Sequence, residues 1–176
     1  MVSPVLRLDS WQPIYEAVER ALRSERPCLI CIAGNAGSGK STLGRLLRKG
    51  GMGPIPPRKI LVIDDGVASV PFLGVLRRRV TFRAAQKDFL WPFQPYFKDK
   101  QLIVFVTAQP TDRLDECDIL IEVNCTEQVR HRHLRQRNAD ADQRIRATAG
   151  YRLVKPRARI EFEVENDGKA FALRSS

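Results

Sequence analysis

The chain is poor in the features that would place it in a membrane or tie it together through metal or disulfide. None of its 176 residues lie in anything close to the roughly 18 consecutive apolar residues that span a bilayer. Residues 1–10 lack the apolar core of a secretory signal, so a cytoplasmic location without membrane attachment is expected. Cysteine is scarce: Cys28, Cys31, Cys117 and Cys125. Cys28 and Cys31 have zinc or redox spacing, but no second pair partners them, and residues three apart on a strand face opposite ways. Small buried thiols are the expectation. The two histidines, His131 and His133, have no Cys/His cluster to join in a metal centre. There is no internal repeat and no low-complexity tract. At 43% hydrophobic and 28% charged residues, the composition is that of an ordinary single globular domain with a sizeable core.

Positive charge, by contrast, is in excess, at a net +10. Residues 130–160 hold ten Lys and Arg against Asp140 and Asp142, a local +8 that leaves the rest of the chain close to neutral. Such a surface suits phosphate-rich partners, whether nucleotide, nucleic acid or an anionic membrane. Its confinement to one segment points to a local anion site.

The most specific motif is Gly34-Asn35-Ala36-Gly37-Ser38-Gly39-Lys40-Ser41, which matches the phosphate-binding pattern G-x-x-x-x-G-K-[ST]. Its flanks agree: residues 28–33 (CLICIA) read as a buried strand, and Thr42 opens a helical stretch with an apolar stripe. Glycines let the backbone curl so that successive N–H groups face phosphate oxygens, and the positive end of the helix adds to that field. Lys40 is expected to reach the β- and γ-phosphates of ATP, and the Ser41 hydroxyl to take a place on Mg²⁺.

Strands alternating with helical stretches predict a parallel α/β sheet. Residues 11–24 read as a leading helix. The strands expected are 28–33, 59–63, 102–107, 118–123 and 159–164, the last as a half-exposed edge. Residues 50–57 (GGMGPIPP) are a break, and Asn166-Asp167-Gly168 a turn. Thr126 is expected to cap a helix running to about Asn138.

Asp64 and Asp65 close the second strand, at the end where a parallel sheet places ligands. One reading makes one of these two carboxylates the group that orients or deprotonates an acceptor hydroxyl, with Mg²⁺ held partly by Ser41. A second reads the strand as one that supports Mg²⁺ through Asp64 and polarises water through Asp65, as in an ATPase. A third is a plain Asp-Asp-Gly turn. Only 24 positions separate Lys40 from Asp64, which favours the kinase.

Residues 89–97 (FLWPFQPYF) gather five of the thirteen aromatics around two prolines. They read either as a base-stacking surface, with Arg77, Arg78, Arg79, Arg83 and Lys87 nearby, or as a rigid connection packed on the core. In residues 130–137 (RHRHLRQR), Arg130, His133 and Arg137 share one helical face, and Arg132 and Arg135 another. Such guanidiniums suit a lid that closes over a triphosphate; the alternative is a solvated basic helix.

The leading helix followed by residues 26–43 (RPCLICIAGNAGSGKSTL) resembles the opening of uridine kinase-like P-loop kinases. Gln143-Arg144-Ile145 after an Arg-rich stretch, then residues 160–168 (IEFEVENDG), resemble the tail of dephospho-CoA kinases. Both belong to the nucleoside and nucleotide kinase superfamily. The resemblance implies one domain over residues 1–176, a three-layer α/β/α P-loop fold with a mostly parallel five-stranded sheet, and an Arg-rich lid at about 126–150. It implies that residues 34–42, from Gly34 to Thr42, hold ATP phosphates, that Asp64 serves the acceptor and that Arg132, Arg135 or Arg137 serves the lid. Two departures stand out. The third strand ends Val106-Thr107-Ala108-Gln109 with no acid, and the acceptor region is short, so a small acceptor is expected. The expectation is a Mg-ATP-dependent kinase of a small nucleoside-like or other metabolite. The competing one is an ATPase or nucleotide-dependent binding protein acting on nucleic acid, and a third is a degraded kinase that keeps ATP as a structural or regulatory ligand.

Overall fold

The computed structural model describes residues 5–6, 8–24, 26–72, 76–82, 87–137 and 140–173. Arg83, the side chain of Arg77 and the expected helix end at Asn138 lie outside the described residues. In chain order the elements are β1 (Val5–Leu6), α1 (Leu8–Ala21), β2 (Cys28–Ala33), α2 (Lys40–Gly50), β3 (Ile60–Asp64), β4 (Val67–Phe72), β5 (Leu76–Thr81), β6 (Leu102–Thr107), β7 (Glu116–Asn124), α3 (Glu127–Arg137), α4 (Ala141–Ala147), β8 (Arg157–Asn166) and β9 (Ala170–Leu173). Among the described residues no helix is long and apolar enough to cross a membrane.

The strands form one mostly parallel sheet in the order β1-β9-β8-β7-β2-β6-β3-β4-β5. The five expected strands are its contiguous centre, β8-β7-β2-β6-β3, and every pairing within that centre is parallel. Among the described residues the sheet is nevertheless nine strands wide, not five. On one side Asp65 and Gly66, both at positive φ, make the two-residue loop that a tight hairpin requires, so the chain leaves β3 straight into antiparallel β4 and β5. Pro71 and the arginines of this stretch mask it in a sequence reading. They are tolerated because β4 meets β3 through Ile63 and Asp64 alone, and β5 is the outermost strand on that side among the described residues.

On the other side β8 is not an edge. β9 returns antiparallel to it, but only against Val164, Glu165 and Asn166. The first half of β8 is left half-exposed, which explains its alternating pattern. β1 then adds beside β9.

Alternation along the strands sends two sets of side chains to opposite faces. On one, α1 and α2 bury Trp11, Ile14, Val18, Leu43 and Leu47 against Ile30, Ile32, Val62, Val104, Val106, Ile121 and Val123. Trp11 also donates its indole N–H to the Phe171 carbonyl at 3.2 Å, tying α1 to β9. The other face, where a three-layer fold would carry helices, is covered among the described residues by irregular chain and 3₁₀ turns. Leu90 and Phe93 from the turn Trp91–Tyr96 and its entry, Leu114 and Leu153 pack there on Cys31, Leu61, Ile63, Ile103, Phe105 and Leu120. Cys28, Cys31 and Cys117 are free and buried, as small core thiols, and burial pushes Cys28 and Cys117 up to about 12; Cys125 is half-buried.

Candidate functional site

β2 leads directly into the glycine loop, and the sheet order turns at this strand: β6 lies on one side of β2 and β7 on the other. The crevice beyond the carboxyl ends of strands at such a reversal is where open α/β sheets hold ligands. The loop closes on itself through Ser38 N–H to the Asn35 carbonyl at 3.1 Å, and Ala36 N–H donates to Asn35 Oδ1 at 2.7 Å. Gly39, at φ 102°, is the residue before α2. A side chain there would be strained and would meet the Asn166 amide at 2.2 Å from its Cβ, so only glycine serves. The Gly39 carbonyl accepts from Thr42 N at 2.8 Å and Leu43 N at 3.0 Å, which starts the helix and leaves its first N–H groups facing the loop's mouth.

Lys40, Ser41 and Asp64 come together at that mouth. Asp64 follows Val62 on the helix-bearing face of β3, where α2 begins, and Ser41 Oγ donates to Asp64 Oδ1 at 3.0 Å. Both carboxylate and ammonium are electrostatically uneasy. Burial raises the Asp64 carboxyl above its ordinary range and neighbouring Asp65 adds to that; the Ser41 hydrogen bond, Lys40 and Arg45 hold it back. Lys40 is 8% exposed, and burial lowers its ammonium despite the pull of Asp65 and Asp64. Arg137 lowers it further. A polyanion brought to this mouth relieves Lys40, and a cation relieves Asp64.

Among the described residues no group of three His, Cys, Asp or Glu stands ready to hold a metal. The Ser41–Asp64 pair still fits Mg²⁺, a cation that takes one or two protein oxygens and completes its shell with water and phosphate. The buried Ser38 hydroxyl has no hydrogen-bond partner among the described residues. The loop therefore carries an unspent donor as well as its glycine curl, both in keeping with a phosphate site.

The arginine segment is anchored to the loop at three points. Asn35 Nδ2 donates to the Thr148 carbonyl at 3.1 Å, His133 Nδ1 to the Gly37 carbonyl at 2.9 Å and Arg137 Nη2 to Thr42 Oγ1 at 2.9 Å. Since a carbonyl only accepts, the His133 proton sits on Nδ1. Of Arg132, Arg135 and Arg137, Arg137 is thus the one that meets the loop. Arg132 and Arg135 lie on the other side of α3, where they line a cleft of about 500 Å³ with Gln128, His131 and Gln136; Arg135 faces Asp142 at 3.6 Å. Arg130 is buried between Glu127, at 2.8 Å, and the Thr148 hydroxyl, at 2.8 Å, a structural tie between α3 and the chain after α4.

The aromatic stretch divides between its two readings. Phe93 and Leu90 are core, and Tyr96 and Phe97 pack against it, whereas Phe89 and Trp91 are 56% and 64% exposed. Phe82 stacks edge-on to Phe93 at 5.1 Å, and buried Arg113 pairs with Asp88 and donates to the Phe82 carbonyl at 3.1 Å. Phe82 itself bonds to Gly66, so this cluster buttresses the Asp64-Asp65-Gly66 turn.

Two residues of the site were not singled out by pattern. Asn166, read only as part of a turn, donates from Nδ2 to the Ser38 carbonyl at 2.7 Å. Tyr151 donates its hydroxyl to the Ala108 carbonyl at 2.7 Å, beside the end of β6. Asparagine and tyrosine at single positions carry no spacing signal, and only the tertiary fold brings them here. Comparison with known protein-family models finds no matching family, and comparison with curated proteins finds no matching relative.

Proposed function

We propose that this chain is a cytoplasmic P-loop phosphotransferase of nucleoside or nucleotide kinase type, which moves the γ-phosphoryl of Mg-ATP to a small nucleoside-like or other metabolite acceptor. The observation that carries the reading is the 3.0 Å contact between Ser41 and Asp64 beside buried Lys40, at the head of a glycine loop that opens a helix. Loop, cation and metal-binding oxygens are then in one place, as phosphoryl transfer requires. When bound, Mg²⁺ would neutralise charge on the phosphate oxygens, held by Ser41 and Asp64.

The loop N–H groups and Lys40 grip the phosphate chain and stabilise charge on the transferred group. Asp64, at the carboxyl end of β3, would orient an acceptor hydroxyl or take its proton. Arg137, from the loop's far side, adds positive charge near Lys40. β6 ends in Thr107 and offers no acid to share a metal, so that burden would fall on Ser41 and Asp64.

The test is ATP consumption with Mg²⁺, alone and with nucleosides, nucleotides, pantetheine-type compounds and sugars, and separately with single- and double-stranded nucleic acid. One acceptor that raises turnover and gains the mass of a phosphate supports the proposal. Hydrolysis stimulated by nucleic acid alone, with no acceptor phosphorylated, would transfer Asp64 and Asp65 to an ATPase role.

A further inference from the structure

A loop that turns its N–H groups toward an anion must turn its carbonyls the other way, into the protein, where each needs a donor. The structure supplies these donors from two distant places. Asn166, at the end of β8, is 1% exposed; its Nδ2 donates to the Ser38 carbonyl at 2.7 Å, and its Oδ1 accepts from Gly168 N at 2.9 Å. His133, on α3, donates to the Gly37 carbonyl at 2.9 Å. In a planar trans peptide a C=O and the N–H that follows it point opposite ways. Holding the Ser38 carbonyl therefore aims the Gly39 N–H away from Asn166, toward the loop's open side. Holding the Gly37 carbonyl orients the next peptide back, whose N–H closes the turn on Asn35.

We propose that Asn166 and His133 are positioning residues which hold the phosphate-binding loop in its receptive shape from behind, Asn166 being the decisive one. The inference rests on the nucleotide-site reading above. Both ends of the Asn166 amide are engaged: the absent Cβ of Gly39 gives it room to approach, the Gly168 turn fixes its rotation, and the Phe171 ring lies beside Gly39. The Gly168 turn also lies against Arg132 and Val129 of α3. The loop, the β8–β9 turn and α3 are thereby locked into one body, so loop shape depends on a residue more than 120 positions away.

Asn166→Asp is the informative variant. It preserves size and the Gly168 contact but replaces the donor with an oxygen facing the Ser38 carbonyl. Inorganic tripolyphosphate and Mg-ATP are the probes, with affinity measured by calorimetry, unfolding by heat without ligand, and the amide resonances of Gly37, Gly39 and Lys40 by NMR. The expected result is affinity for both probes lower by about tenfold or more, the scale of one lost hydrogen bond to a fixed group, with shifted amides at Gly39 and Lys40 in a folded protein. A variant that unfolds at lower temperature yet binds both probes like the parent would show a merely structural role and overturn the proposal. Should Asn166→Asp not fold, His133→Ala carries the test on the neighbouring carbonyl, where a severalfold loss is expected and unchanged affinity overturns the proposal. A parent chain that binds neither probe overturns the nucleotide-site reading itself, and this inference with it.

Discussion

Each end of the parallel strands holds a shielded aspartate, and the two are treated differently. At the amino end Asp118, 4% exposed, receives Arg26 at 2.6 and 3.0 Å and the Leu29 N–H at 2.8 Å, with Arg159 at 3.6 Å. At the carboxyl end Asp64 receives a Ser41 hydroxyl, a like charge from Asp65 and only distant help from Lys40 and Arg45. A carboxylate given every donor it can use is part of the framework. One left short, its carboxyl raised above the ordinary range by burial, keeps capacity for something the chain does not supply. The same contrast separates Arg26, spent on Asp118, from Lys40, which burial pushes toward neutrality at the loop.

Substitutions sharpen this contrast, beginning with the largest effect. Lys40→Ala should reduce phosphoryl transfer by about a hundredfold or more, as loss of a charge-stabilising group at a reacting phosphate does. The unliganded protein should keep its melting temperature, since the parent bears a buried ammonium at a cost; a collapsed fold would place Lys40 in the framework. Asp64→Asn should weaken binding of Mg-ATP by about tenfold while leaving metal-free ATP nearly unaffected, the scale of one lost carboxylate on a divalent ion. Equal losses with and without Mg²⁺ would remove Asp64 from the metal.

The stability of Asp64→Asn also has a defined pH dependence. The folded state raises the Asp64 pKa, so between its ordinary value near ~4 and the raised one the folded chain binds the proton more tightly, and parent stability falls as pH rises. The variant lacks that loss. Its melting temperature should match the parent's in acid and exceed it above the raised pKa, by an amount that then stays constant.

Asp118→Ala should do the reverse: about 2 kcal/mol of stability lost, because the half-buried Leu29 N–H is left unpaired, with tripolyphosphate affinity unchanged. Arg26, half-exposed, returns to water, which keeps the cost below that of a fully buried pair. The smallest pair of effects lies on α3. Arg137→Ala should weaken ATP by a few fold, on the scale of ~0.5–1 kcal/mol, and Arg135→Ala should change it by less than can be measured, its contact to Asp142 being an exposed one. Equal effects would mean that α3 turns its other face to the nucleotide.

Much of this site is local in sequence and was legible there. The loop, its strand and its helix are consecutive, so Lys40 and Ser41 follow from spacing alone. Asp64 was legible because strand alternation and the end of an apolar run place it, although the Ser41 contact required the sheet. A turn at Asp65 and Gly66 is only one of three readings of that stretch in the sequence, and none of them starts a hairpin, because Pro71 and three arginines hide the pairing of β4 with β5. Helical periodicity grouped Arg130, His133 and Arg137 on one face of α3; it did not say which face meets the loop.

What the amino-acid sequence determined by itself is what neighbouring residues determine: the glycine loop, its flanking elements, the apolar centre of the sheet and the excess of positive charge. What only the tertiary structure decided is how distant groups meet. Asn166 reaches Ser38, His133 reaches Gly37 and Asp118 gathers Arg26, because parallel pairing sets β2 beside β7 and β7 beside β8 across long crossovers. Local pattern records period and turn chemistry, which depend on residues a few positions apart. Register between strands depends on how the whole apolar surface packs, and a lone Asn, His or Asp leaves no repeat from which its partner can be read.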